Sequence, residues 1–186
     1  MTVNTQKFYN LFLEEIKKSG IESIPWNDSK EWTDRMLKDK NCVMEKMAKS
    51  LGLLYCHDYF YLDGIFYRKK LGYKNLDTEF HFYAQNIEVI IEHENDYRGI
   101  ETEIYKLIPL YTASLKVIIT YLDGDISENK NKINRIKEII KARIRTDDPF
   151  KLHKNRIKIL LILCFYKNRK IDWQGFIYGN KEFIGI

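Results

Sequence analysis

An α/β fold with a mixed central β-sheet flanked by helices is what this sequence predicts, on three observations. Apolar residues recur at helical spacing in segments 6–19, 30–51, 97–114 and 127–145. Short apolar runs rich in β-branched residues stand at 87–91, 115–122 and 157–165. Helical and strand segments alternate from the middle of the chain onward, which is the order of an α/β sheet. The 186 residues suffice for one full-sized core, so a single domain over 1–186 is expected.

Each element has its own signal. Phe8, Leu11, Phe12 and Ile16 share one face of a first helix that stops near Gly20. The turn Pro25-Trp26-Asn27-Asp28-Ser29 precedes a second helix, with Met36, Leu37, Val43, Met44, Met47, Ala48 and Leu51 as its apolar set and Gly52 as its stop. Residues 53–67 are aromatic and strand-like. Residues 79–84 and 87–94 suggest a hairpin turned at Gln85-Asn86. Asn95 or Asp96 can cap a helix carrying Ile100, Ile104, Leu107, Ile108 and Tyr111. Leu115–Leu122 is a short strand, and Ser127 can cap a basic helix with Ile133, Ile136, Ile139, Ile140 and Ile144 inward. Ile157–Phe165 is another buried strand, followed by short strands near Phe176–Tyr178 and Glu182–Ile184.

The chemistry concentrates in Ile87-Glu88-Val89-Ile90-Ile91-Glu92-His93-Glu94. A strand alternates its faces, so Glu92 and Glu94 project to one side and His93 to the other. Adjacent carboxylates at the end of a buried strand repel each other and resist burial, and a divalent cation is the usual remedy. Mg²⁺ takes one or two carboxylates and leaves room for substrate phosphates. Twenty-nine residues earlier, Asp63 stands in a second apolar run, Tyr61-Leu62-Asp63-Gly64-Ile65-Phe66-Tyr67. Asp63-Gly64 also fits a tight hairpin turn.

An Asp on one strand, then Glu-x-Lys or Glu-x-Glu on a later strand, then a helix, resembles the PD-(D/E)xK nuclease superfamily. The order of elements over 30–122 is similar to that superfamily's core, with the basic helix and strands of 127–186 beyond it. The resemblance implies a restriction-endonuclease-like fold and Mg²⁺-dependent phosphodiester hydrolysis. It implies Asp63 and Glu92 as metal ligands, with the main-chain carbonyl of His93 as a further one. Glu94 stands where the lysine usually does and would hold or deprotonate the attacking water. An acidic residue of the first core helix often completes such sites, and Glu45 is the choice here. Lys106 is the other candidate for the lysine's part, but it falls about 135° from its helix's apolar face, so a surface pair with Glu103 is expected. Glu103 borders the apolar face and can lean toward the site.

The small size, the tyrosine- and lysine-rich composition and the Glu-x-Glu core together resemble the small, cleavage subunit of heterodimeric type IIS restriction endonucleases. That resemblance implies double-stranded DNA as substrate and a larger DNA-recognising, nicking subunit as partner. A self-sufficient homodimeric nuclease, a non-catalytic nucleic-acid-binding protein and an interaction protein remain as alternatives.

Other features bound the function. Net charge is +5, yet residues 130–158 hold 11 Lys/Arg against Glu138, Asp147 and Asp148. A basic block favours a polyanion or is simply a solvated face. Lys141, Arg143 and Arg145 end its helix and are expected to touch phosphates. Cys42, Cys56 and Cys164 are scattered and odd in number, which argues against a zinc site or a disulfide framework. With a polar start at Met1–Lys7 and no apolar run of membrane-spanning length, a cytoplasmic protein is expected. No P-loop, dinucleotide-binding or zinc-protease motif is present. The four histidines lack zinc-ligand spacing, and His93 is expected to be packed rather than a base.

Overall fold

Seven strands form one sheet in chain order: β1 (Leu54–Tyr59), β2 (Leu62–Tyr67), β3 (Ile87–Glu94), β4 (Leu115–Asp123), β5 (Lys158–Lys167), β6 (Lys170–Gly179) and β7 (Glu182–Gly185). A computed structural model describes residues 3–68, 87–108, 113–147, 158–179 and 182–186, with backbone alone from 145 to 147. The β3–β4 and β4–β5 ladders are parallel and the other four are antiparallel, so the sheet is mixed as expected.

Alternation along the central strands assigns the two faces. Val89 and Ile91 of β3, Val117 and Ile119 of β4 and Leu160 and Ile162 of β5 pack under α1 (Thr5–Ser19) and α3 (Val43–Ser50). Ile90, Ile118, Leu161 and Leu163 face α4 (Ile100–Leu107) and α5 (Lys130–Asp147). Strands covered on both sides read as continuous apolar runs, which is why β4 and β5 were legible in the sequence. Both parallel crossovers, through α4 and α5, therefore lie on one face.

The single helix expected over 30–51 is broken. α2 (Ser29–Thr33) runs into one π-helical turn, Asp34–Lys38, closed by Asp39 N–H donating to the Asp34 carbonyl at 2.8 Å. Asn41 then takes φ +60°, a conformation asparagine tolerates, and the chain restarts as α3. The strand-like 53–67 segment is a hairpin, turned at Phe60-Tyr61 between the last pair Tyr59 and Leu62. Asp63-Gly64 is thus strand, not turn. Residues 79–86, where the other hairpin was expected, lie outside the described residues; β3 pairs with β2.

The helix expected from 97 begins as a 3₁₀ turn, Tyr97–Gly99, capped by Asp96, whose side chain accepts the Arg98 N–H. It is not helical at Ser114, whose hydroxyl donates to the Glu88 carbonyl at 3.0 Å. Ser127 does not cap α5: its N–H and hydroxyl both donate to Asp125, at 2.9 and 2.6 Å. Asn129 precedes the helix, its carbonyl accepting the Ile133 N–H at 2.9 Å.

Candidate metal centre

The site forms where β2 and β3 part. Their ladder includes Gly64 opposite Ile91, and one residue further Asp63 accepts the main-chain N–H of His93 at 2.7 Å through its own carboxylate. A side-chain oxygen thus stands where a strand carbonyl would, and the Asp63 carboxylate is brought beside β3. Gly64 permits the close layering: a Cβ there would come 3.0 Å from the Tyr55 ring.

Glu92 follows Ile90 on the face toward α4 and has no exposed surface. α4 supplies Glu103, and one carboxylate oxygen from each of Asp63, Glu92 and Glu103 lies within 4.8 Å of the others. Lys106, one turn on, places Nζ 3.2 Å from Glu92 Oε2 and in contact with Glu103. The same ammonium donates to the Tyr61 carbonyl at 3.2 Å. Three carboxyl groups thus share one cation.

Electrostatics follow from that imbalance. Burial, reinforced by the neighbouring Glu103 and Asp63 carboxylates, pushes the Glu92 carboxyl up to about 10, so in the metal-free protein it holds a proton at neutral pH. Burial also raises Asp63, opposed by the His93 N–H and by Lys106. Burial pulls the Lys106 ammonium down, but its bond to Glu103 and the charge of Glu92 outweigh that and hold it above the usual lysine range. Both oxygens of Glu92 are buried without a hydrogen-bond donor, and Oε2 of Glu103 is buried against the Lys106 ammonium. The lysine lies close to Glu92 without a directed hydrogen bond to it. Carboxylate oxygens converging from three elements, with those of Glu92 unpartnered, suit a hard, oxygen-seeking divalent cation, and the residues fit Mg²⁺.

The other expected residues lie elsewhere. Glu94 accepts the Asp96 N–H at 2.8 Å and lies over Gly99 so closely that a Cβ there would meet its carboxylate at 2.4 Å. It braces the turn into α4 and is not one of the three converging carboxylates; burial raises it too. His93 points to the opposite face, as alternation requires, with Nε2 2.5 Å from the Tyr121 hydroxyl and its pKa lowered by burial to about 4. Glu45 sits on α3, in the layer over that opposite face, and accepts the Asn41 N–H at 2.7 Å. It holds the start of α3, and the helix-borne acid beside Asp63 and Glu92 is Glu103 from α4.

Of the basic block, Lys141 is tied to Glu138 at 3.1 Å and Glu182 at 3.3 Å, and the Arg143 guanidinium lies over the Tyr105 ring at 4.8 Å. The Arg145 side chain is outside the described residues. The surface-pair expectation for Lys106 is corrected: it does pair with Glu103, but inside the site. Helical angle locates a Cβ, and lysine's four methylenes carry the charge back across the helix edge.

Among the described residues no helix is long and apolar enough to cross a membrane. The sequence matches no protein-family model and no curated protein.

Proposed function

We propose that this protein is a Mg²⁺-dependent endonuclease that cuts double-stranded DNA. The observation that carries the proposal is the convergence of Asp63, Glu92 and Glu103 within 4.8 Å around the Lys106 ammonium. The order α3, β1–β3, α4, β4 agrees with the core order of the PD-(D/E)xK nucleases that the sequence resembles. Asp63 and Glu92 would hold the metal, with Glu103 in the part expected of Glu45 and the His93 carbonyl as a further ligand. When bound, Mg²⁺ supplies charge that lowers the pKa of a water and offsets the charge of a pentacovalent phosphate. Lys106, rather than Glu94, takes the lysine's part: its ammonium can orient the attacking water or neutralise a phosphate oxygen. Glu92 gives up its proton when the site is loaded.

The described strands all join one sheet between two helix layers, which fits a cleavage module better than a chain with its own reader of several base pairs. We therefore favour the small-subunit role, with a larger nicking subunit supplying the site. The test is strand-specific end mapping with Mg²⁺, using this chain at high concentration, the partner and both together. Weak, sequence-independent nicking by this chain alone is expected, with loss of at least ~10³ in Asp63→Ala and Glu92→Ala, since each removes a metal ligand. Near wild-type cutting by either variant would overturn the site, and site-specific double-strand cleavage by the chain alone would overturn the subunit role.

A further inference from the structure

The β1–β2 turn presents two aromatic side chains to solvent beside the carboxylate cluster. Phe60 is 76% and Tyr61 86% exposed, more than any other large apolar side chain described. Exposing two adjacent aromatic rings is unfavourable. The backbone beneath them is unfavourable as well. Phe60 holds φ +52° at the first position of a two-residue turn, where glycine, asparagine or aspartate is favoured. Strain and exposure concentrated in one short turn mark a working segment more often than a structural one.

The turn is also anchored to the site. The Tyr61 carbonyl accepts from Lys106 at 3.2 Å, and that same ammonium is 3.2 Å from Glu92. Tyr61 is two residues from Asp63. Tyr59, packed edge-on to Phe60 at 4.9 Å, supports the ring from below.

Resting on the endonuclease reading, we propose that Phe60 and Tyr61 form a stacking wedge that engages an unstacked nucleobase next to the phosphate that a metal held by Asp63, Glu92 and Glu103 would draw in. Every base offers a π-face, so such a contact is indifferent to sequence, and apolar side chains inserted at a base step unstack it. The preferred substrate is then duplex DNA with a locally opened step, such as a bulge, mismatch or nick, beside the cleaved bond.

The experiment measures binding in Ca²⁺, with cleavage in Mg²⁺ run separately. Short duplexes carrying 2-aminopurine, with and without a single bulged base, are titrated with the wild-type chain, Phe60→Gly and Phe60→Gly/Tyr61→Ala. The wild-type chain should bind the bulged duplex more tightly and raise 2-aminopurine fluorescence. The double variant should lose roughly 10-fold or more in affinity for the bulged duplex, together with the fluorescence rise. Phe60→Gly relieves the turn, so its melting temperature should be equal or higher while its affinity falls; this separates lost contact from lost fold. Variants that bind, brighten and cut like a DNA-cutting wild type overturn the wedge and leave the endonuclease reading standing. Loss of self-association with unchanged DNA binding would make the turn a protein interface instead. A wild-type chain that neither binds nor cuts DNA removes both.

Discussion

Oε2 of Glu92, a side chain with no exposed surface, lies 3.2 Å from Nζ of Lys106. A buried carboxyl beside a partly exposed ammonium is a pair whose value depends on what else occupies the site. In the metal-free protein Glu92 already holds a proton at neutral pH, so removing the ammonium strands no buried charge there, which limits the cost. Lys106→Met, close in volume, should therefore lower stability by only about 1 kcal/mol while reducing cleavage by ~10² or more. Thermal unfolding beside single-turnover kinetics checks both halves. Full activity in Lys106→Met would return the lysine's part to another group.

The raised Glu92 carboxyl gives stability a pH dependence. In the unfolded chain it ionises near its ordinary value of 4.5; in the folded, metal-free chain it holds its proton to about 10. Its contribution is therefore fully present below about 4.5 and is lost progressively as pH rises toward 10. Glu92→Gln keeps a neutral side chain of the same shape throughout. It should melt above wild type at about pH 8, with the gap closing as pH falls toward 4.5, and Mg²⁺ should raise the melting point of wild type but not of the variant. A variant that tracks wild type at every pH would show that Glu92 ionises normally.

Much of this was legible in the sequence for simple physical reasons. β-Branched runs covered on both faces can be little else but central strands, so β3, β4 and β5 were recognisable, and alternation placed Glu92 and His93 on opposite faces. Asp63 was legible as a carboxylate in an apolar run. What was hidden depends on backbone geometry or reach. Glu94 has the correct parity to face the site, but the chain turns immediately after it and the Asp96 N–H captures its carboxylate. Glu45 lies at the edge of an apolar face as expected, yet its helix restarts after the Asn41 break and it serves that restart. Lys106 was discounted on helical angle, which ignores side-chain length. Charge density in 130–158 said nothing about which cations are already paired; Lys141 is, by Glu138 and Glu182.

His93 gives the acid side of the pH profile. Burial lowers it from 6.5 to about 4, so below 6.5 the unfolded chain takes up a proton that the folded chain refuses. The resulting stability is whole above about 6.5 and falls as pH drops toward 4, by up to about 1.4 kcal/mol per pH unit. His93→Gln can still bond the Tyr121 hydroxyl but does not titrate. Denaturant titrations at several pH values should show wild type losing more stability than the variant across this window. Parallel curves would mean that His93 is protonated in the folded state.

Glu103 on α4 and Glu94 at the end of β3 can be told apart by metal titration. Glu103 contributes an oxygen to the cluster and Glu94 does not, its carboxylate being held by the Asp96 N–H. Glu103→Ala should abolish measurable Mn²⁺ or Mg²⁺ binding by calorimetry, because it removes one of three anionic donors. Glu94→Ala should keep metal binding and lose about 1 kcal/mol of stability, the size of a lost cap-like hydrogen bond. Wild-type binding should also release close to one proton per metal at neutral pH, since Glu92 must ionise to coordinate, and repeating the titration in buffers of different ionisation enthalpy counts it. Metal binding lost in Glu94→Ala and kept in Glu103→Ala would invert the assignment and make the Glu-x-Glu spacing, rather than the Asp63–Glu92–Glu103 convergence, the functional unit.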